Sequence, residues 1–169
     1  MIKGNTVDLR PLEEKDIEMI RDWRNKNKDH FFDAGEISKD QQRQWYEKYV
    51  DSAGRDYMFI IQAKDGTPIG TVALYNINVI ERNAELGRVL LLEEYRGHGY
   101  SEAAVKMVIE LAFEKMRLWK IKVSVHLDNI DAIAVYARAG FKTTTRPILL
   151  LECTRPQMDW KKPVVIEEL

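Results

Sequence analysis

The strongest constraint on the fold lies between residues 84 and 116. A strand-like stretch, Ala84–Leu92, turns on Glu93-Glu94-Tyr95-Arg96-Gly97-His98-Gly99-Tyr100-Ser101 into a helix predicted over Glu102–Met116. Two glycines at a strand-to-helix turn let backbone N–H groups approach an anion closely. The helix start adds unpaired donors and the positive end of the dipole, and Arg96 adds a positive charge. Residues 96–101 therefore read as a diphosphate cradle, although a plain tight turn with a solvent-exposed Arg would use the same residues. No Gly-Lys-Ser/Thr follows, so this is no Walker loop. The third Gly and the later acidic partner of a dinucleotide fingerprint are also missing. Along the helix, Ala104, Val108, Leu111 and Ala112 share one face, and Glu102, Lys106, Glu110 and Glu114 line the other.

Strand and helix signals alternate over the rest of the chain, which favours an α/β class. Strands are expected at Thr6–Arg10, Tyr57–Ile61, Ile69–Ile77 and Lys120–Leu127, with closing strands at Phe141–Thr145 and Ile148–Glu152. Helices are expected over Leu12–Asn25, Asp40–Val50 and Asn129–Ala139. Ser38 and Gln41 form a capping-box pattern before the second of these, and Gly140 sits where a left-handed C-terminal residue belongs. Lys64-Asp65-Gly66-Thr67 reads as a hairpin turn, and Asn78–Asn83 as another turn. Lys161–Leu169 is expected to be a peripheral tail on one domain spanning residues 1–169.

Composition narrows the function. Lys plus Arg is 26 against 27 Asp plus Glu, a net charge of −1 that gives no support for a nucleic-acid or anionic-membrane partner. Cys153 is the single cysteine, so an intrachain disulfide cannot form, which fits a cytoplasmic setting. No signal-peptide pattern or membrane-length apolar run occurs. Three scattered histidines and one cysteine form no zinc pattern, so no metal is expected.

Arg96-x-x-Gly99-x-Ser101 resembles motif A of the GNAT acetyltransferase family, Gln/Arg-x-x-Gly-x-Gly/Ala, with Ser101 as a small departure. Thirty residues on, Asn129-x-x-Ala132-x-x-x-Tyr136-x-x-x-Gly140-Phe141 is similar to the family's motif B. The resemblance runs from the first strand to Phe141 and weakens after Thr145. It implies a mixed, mostly antiparallel twisted sheet flanked by about four helices. The fourth and fifth expected strands, Ala84–Leu92 and Lys120–Leu127, would be parallel and splayed as a V. It further implies acetyl-CoA as co-substrate and no metal. The CoA arm would lie in the V, paired to the backbones of Val89 and Leu91 and hydrogen-bonded by Asn129. The N–H groups of Gly97, His98, Gly99, Tyr100 and Ser101 would take the diphosphate.

Tyr136 matches the residue that protonates the departing thiolate in many members. A helical Tyr at this spacing would otherwise pack as an amphipathic core residue. An alkylamine with a pKa of about 10.4 must lose a proton before attack, and Glu85, where the V opens, is the candidate base. Strict alternation would put Glu85 on one face with Gly87 and Val89, and a surface Glu would fit the same pattern. His126, which shares a face with Ser124, and water are the alternatives. His98 reads as exposed and His30 as uninformative.

The acceptor is expected to be a small-molecule amine entering beside the first two helices. Arg21–Asn25, Phe31-Phe32, Ile37-Ser38, Gln41-Gln42 and Trp45-Tyr46 resemble enzymes acting on nucleotide-linked amino sugars, with Arg24 for phosphate and Trp45 and Tyr46 for stacking. Helix–helix packing by Trp23 and Trp45 would use the same residues. Ile77-Asn78 and Arg82–Glu85 resemble spermidine acetyltransferases, and a third resemblance is to ribosomal-protein N-terminal acetyltransferases. The amino-sugar nucleotide ranks first. A non-catalytic acyl-CoA sensor on the same fold remains open, and the chain is expected to act as a monomer or homodimer.

Overall fold

The structure, a computed structural model, describes residues 1–28, 35–144, 149–154 and 165–166. Nine strands form one sheet in the order β7-β8-β6-β5-β4-β3-β2-β1-β9. They are β1 Ile2–Lys3, β2 Asp8–Pro11, β3 Tyr57–Gln62, β4 Pro68–Asn78, β5 Asn83–Leu91, β6 Lys120–Val125, β7 Lys142–Thr144, β8 Leu149–Thr154 and β9 Val165–Ile166. Every neighbouring pair is antiparallel except β5 and β6. Four helices flank the sheet: α1 Ile17–Lys26, α2 Lys39–Asp51, α3 Tyr100–Glu110 and α4 Ile130–Arg138. A parallel pair needs a crossover, and α3 supplies it between β5 and β6.

Both faces of the sheet are covered, which explains why β3 reads as a continuous apolar run. Phe59 and Ile61 enter the larger core beneath α3 and α4, with Val72, Leu74, Ile121, Val123, Val108 and Phe113. Met58 and Ile60 point the other way, into a smaller core with Ile20 and Ala73 against which Trp45, Tyr46 and Tyr49 pack. Among the described residues no helix is long and apolar enough to cross a membrane.

Several boundaries differ from expectation for local reasons. The first long strand is Asp8–Pro11 rather than Thr6–Arg10, and the two-residue β1 precedes it. The first helix starts at Ile17, because Glu14–Asp16 form a 3₁₀ turn. Asp16 anchors that turn: its carboxylate accepts from Arg10 at 2.8 and 2.9 Å and from the Glu13 amide at 2.9 Å. Burial alone would raise the Asp16 carboxyl, but the hydrogen bonds from Arg10 and Glu13 outweigh it and hold it below its ordinary value. The α2 capping box forms as expected, with Ser38 Oγ accepting from Gln41 N–H and Gln41 Oε1 accepting from Ser38 N–H.

The crossover helix begins at Tyr100 and finishes in one π turn, Leu111–Lys115. Met116 N–H reaches back five residues to the Leu111 carbonyl at 3.0 Å. That wider turn keeps three successive residues, Leu111, Ala112 and Phe113, buried together. At the end of α4, Gly140 has φ +96°. Phe141 N–H then bonds the Tyr136 carbonyl and Gly140 N–H the Ala137 carbonyl, both at 3.0 Å, closing the helix as the sequence pattern predicts. In the tail, Val165–Ile166 pairs with β1 and becomes the outer edge strand of the sheet.

Candidate active site

The site begins with a parallel pair that stops early. β5 and β6 are in register at Asn83↔Lys120, Ala84↔Ile121 and Glu85↔Lys122, and at no later position. On its other side β5 stays paired to β4 as far as Gly70↔Leu91, and β6 stays paired to β8 as far as Val125↔Leu149. The two strands therefore part beyond Glu85 and Lys122, leaving two facing backbone edges without their usual partner. Unpaired strand edges invite an extended guest to add main-chain hydrogen bonds. Val89 and Leu91 both lie in the open section.

The glycine loop stands at the open end. Gly97 has φ +80° and Gly99 φ +77°, and Gly99 is the N-cap of α3. Ala103 N–H bonds the Gly99 carbonyl at 3.0 Å. Among the described residues the N–H groups of Gly97, His98, Gly99, Tyr100 and Ser101 take no backbone carbonyl. With the positive end of the helix dipole, they are donors of the kind that suit an anion. Arg96 is pinned rather than splayed into solvent: it donates from Nε to the Leu91 carbonyl at 3.2 Å and from a terminal nitrogen to Asn27 Oδ1 at 2.8 Å. Both acceptors are neutral, so the guanidinium brings its charge to the loop. His98 is exposed, as expected, and lies near Tyr100. Asn129 is occupied in part as the α4 N-cap, its Oδ1 accepting from Ala132 N–H at 3.1 Å.

A bulge corrects the expected alternation along β5. Thr71 pairs with Leu90 and Ala73 with Gly87, so Arg88 and Val89 together oppose Val72. Arg88 takes the extra position, at φ +50°, and its carbonyl accepts the Thr71 hydroxyl at 2.8 Å. Ala84, Leu86, Val89 and Leu91 consequently all meet the core under α3 and α4. Val89 thus leaves the face of Glu85 and Gly87 and points toward α3 and α4.

Glu85 is half-buried at the parting point, opposite Tyr75 on β4 and Lys122 on β6. Tyr75 stands across the ladder from Glu85, and burial followed by the Glu85 charge pushes the Tyr75 phenol up. Tyr136 comes from the opposite face, buried on α4 with its ring edge against Phe141 at 5.7 Å. Burial, with a contribution from Tyr75, pushes its phenol well above the ordinary value, so it stays protonated. A protonated phenol can give up a proton to a departing thiolate. His126, the alternative base, follows the end of β6 and is half-buried; Ser124 is exposed.

On the other face of the sheet, a cavity of about 210 Å³ lies between α1, α2 and strands β3–β5. Arg24 and Trp45 line it, as do Trp23, Arg88 and Leu90, but Tyr46 does not. Tyr46 instead stacks on Tyr49, 6.0 Å between centroids, and packs against the smaller core. His30, Phe31 and Phe32 lie outside the described residues. Sequence reading passed over Tyr75, Arg88 and Asp56. The Arg88 guanidinium donates to both Asp56 carboxylate oxygens at 2.8 Å and stands over the Tyr75 ring at 4.5 Å and the Trp45 ring at 5.6 Å. The hairpin turn over Asn78–Asn83 was a usable signal for Tyr75, since it sets Tyr75 opposite Glu85. A mid-strand arginine gives no such signal without the bulge.

Residues 6–142 match the family described as the acetyltransferase (GNAT) domain. The chain is 29% identical to the spermidine N(1)-acetyltransferase of Vibrio cholerae, over 82% of this chain and 80% of that one. It is 31% identical to the probable N-acetyltransferase YjcK of Bacillus subtilis, over 83% of each. A solved structure of spermidine N-acetyltransferase from Vibrio cholerae, in complex with CoA and spermine, superposes with a TM-score of 0.82 at 21% identity. It covers 91% of this chain and 98% of the other, a likeness that shows the fold. By the domain match, the strand splay and the glycine-capped crossover helix together, the chain belongs to the GNAT family of N-acetyltransferases.

Proposed function

We propose that the protein transfers the acetyl group of acetyl-CoA directly to a primary amine of a small molecule, in a ternary complex. The observation that carries this is the parting of β5 from β6 after Glu85 and Lys122, with the glycine loop at the open end. The CoA diphosphate takes the N–H groups of residues 97–101, beside Arg96. The pantetheine arm adds to the open β5 edge along Val89 and Leu91, and the Asn129 amide NH₂ donates to it. That arrangement sets the thioester at the apex, between Glu85 on one face and Tyr136 on the other.

The amine arrives from the α1 and α2 side as an ammonium, attracted by the Glu85 carboxylate. Glu85 takes a proton, directly or through water. The amine nitrogen then bonds the thioester carbon and gives up its second proton to water, the carbon–sulfur bond breaks as the tetrahedral intermediate collapses, and Tyr136 protonates the sulfur and regains its proton from solvent. The products are the N-acetylated amine and CoA thiol.

For the acceptor we favour an aliphatic polyamine, reversing the ranking drawn from residues 21–46. The named activity of the Vibrio cholerae relative supports it. Cavity size supports it as well: about 210 Å³ is less than the roughly 300–1,000 Å³ that encloses a drug-sized ligand. A nucleotide-linked sugar would leave its nucleotide outside. One observation keeps that sugar as a second reading, namely that the charged lining residues are Arg24 and Arg88, which suit phosphate better than a polycation. The test is thiol release from acetyl-CoA with spermidine and, separately, with a nucleotide-linked amino sugar. Turnover of spermidine is expected. Turnover of the sugar alone transfers the assignment to the second reading, and no turnover with any primary amine overturns both.

A further inference from the structure

We infer that Tyr75 is a positioning residue for acetyl transfer: its hydroxyl holds Glu85 at the apex, and the Arg88–Asp56 pair locks its ring in place. This rests on Glu85 as the proton acceptor.

Four geometric observations converge on Tyr75. First, the hairpin register puts it directly opposite Glu85, and directly opposed residues on one face of an antiparallel pair have touching side chains. Second, its ring lies over Gly87. A Cβ at that position would come within 2.9 Å of the Tyr75 hydroxyl oxygen and 3.1 Å of Cε1, so the glycine opens the space that the phenol fills. Third, the Arg88 guanidinium stands 4.5 Å from the ring centroid, near enough for a cation–π contact. Fourth, Asp56 fixes that guanidinium with two 2.8 Å hydrogen bonds. Arg88 is therefore held at the bulge by its backbone, from below by Tyr75 and from the side by Asp56. Moving the ring would disturb its contact with Arg88 and uncover Gly87.

A carboxylate that accepts a hydrogen bond on one side has fewer orientations available. Misplacement of a reacting group by about 1 Å can cost about a hundredfold in rate. Tyr75 also explains why β5 carries glycine at position 87, where the core demands nothing of it. Neither phenol substitutes for the other: Tyr136 approaches from the α4 side as the proton donor, whereas Tyr75 serves the carboxylate.

A double-mutant cycle tests the inference, using thiol release with acetyl-CoA and a primary amine. Tyr75→Phe keeps the ring over Gly87 and beneath Arg88, so the melting temperature should hold and report an intact fold. It should lower kcat/KM for the amine roughly 10–100-fold, the worth of one hydrogen bond to a charged group, with KM for acetyl-CoA unchanged. In the Glu85→Gln background the same substitution should add little. Tyr75→Phe without effect, or with its full effect in both backgrounds, would overturn the role of Tyr75 even where Glu85→Gln is damaging. If Glu85→Gln itself keeps wild-type turnover, the assignment of Glu85 fails first and that of Tyr75 with it.

Discussion

The face of the sheet under α3 and α4 and the face under α1 and α2 are built for different kinds of contact. The first presents main-chain groups: the N–H row of residues 97–101, the unpaired β5 edge and a helix dipole. The second presents side chains drawn from distant parts of the chain, with Trp23 and Arg24 on α1, Trp45 on α2 and Arg88 on β5 around one cavity. Main-chain recognition tolerates substitution, because any residue supplies an N–H, and it needs glycine only where φ is positive. Side-chain recognition changes with each residue. The proposed division, a shared co-substrate on the first face and a variable acceptor on the second, fits that difference.

The largest expected effect concerns Tyr136, the side chain proposed as proton donor on the first face. Tyr136→Phe should lower kcat about 10²–10⁴-fold while the thermal shift given by CoA is retained. Unchanged turnover, with chemistry rate-limiting, would make that face purely a binding surface and sharpen the contrast further.

Next comes the anchor of α1. Asp16 is buried against Arg10, so Asp16→Asn should cost about 3 kcal/mol at pH 7, read from denaturant melts. The Asp16 pKa is depressed in the fold, so its contribution is complete above the unfolded value of about 3.9. It is lost as pH falls through the lower folded value, and the two proteins should converge there. A constant difference down to pH 2 would assign the loss to packing.

Gly99→Ala probes the cofactor face alone. A Cβ there meets nothing within 4 Å, so only the backbone at φ +77° objects, at about 1–2 kcal/mol. Stability and CoA affinity should both fall, whereas KM for the amine stays. A change confined to the amine would erase the division between the two faces.

The smallest effect discriminates acceptors. Arg24→Ala should improve kcat/KM for spermidine by up to roughly tenfold and worsen it by a similar factor for a nucleotide-linked sugar. Equal effects on both acceptors would remove Arg24 from selection.

Much of the fold was legible because its signals are local. The Ser38 capping box, the Asp65-Gly66 turn, the Gly140 helix end and the glycine loop before α3 each need only neighbouring residues, and each forms where the pattern predicts. Asn129, Tyr136 and the loop stand out as candidates for the same reason, as they sit in short motifs. Glu85 is a candidate from its place on a strand, whereas Tyr75 carries no motif signal though one hairpin separates them. Alternation failed at Arg88, because nothing in a period of two announces where an extra residue enters a ladder. Tyr46 was grouped with Trp45 as its neighbour, but adjacent helical residues point about 100° apart, and only Trp45 reaches the cavity.

The amino-acid sequence by itself determined the order of the main elements, the α2 cap, the α4 end and the glycine loop before α3, because capping, turn chemistry and periodicity act over a few residues. Only the tertiary structure decided where β5 leaves β6, that Arg88 reverses the facing of β5, and that Tyr75 stands opposite Glu85 while Tyr136 is buried in the core under α3 and α4. Those arrangements depend on strand register between segments as far apart as Asn83 and Lys120 and on packing between distant elements, and no local propensity encodes either.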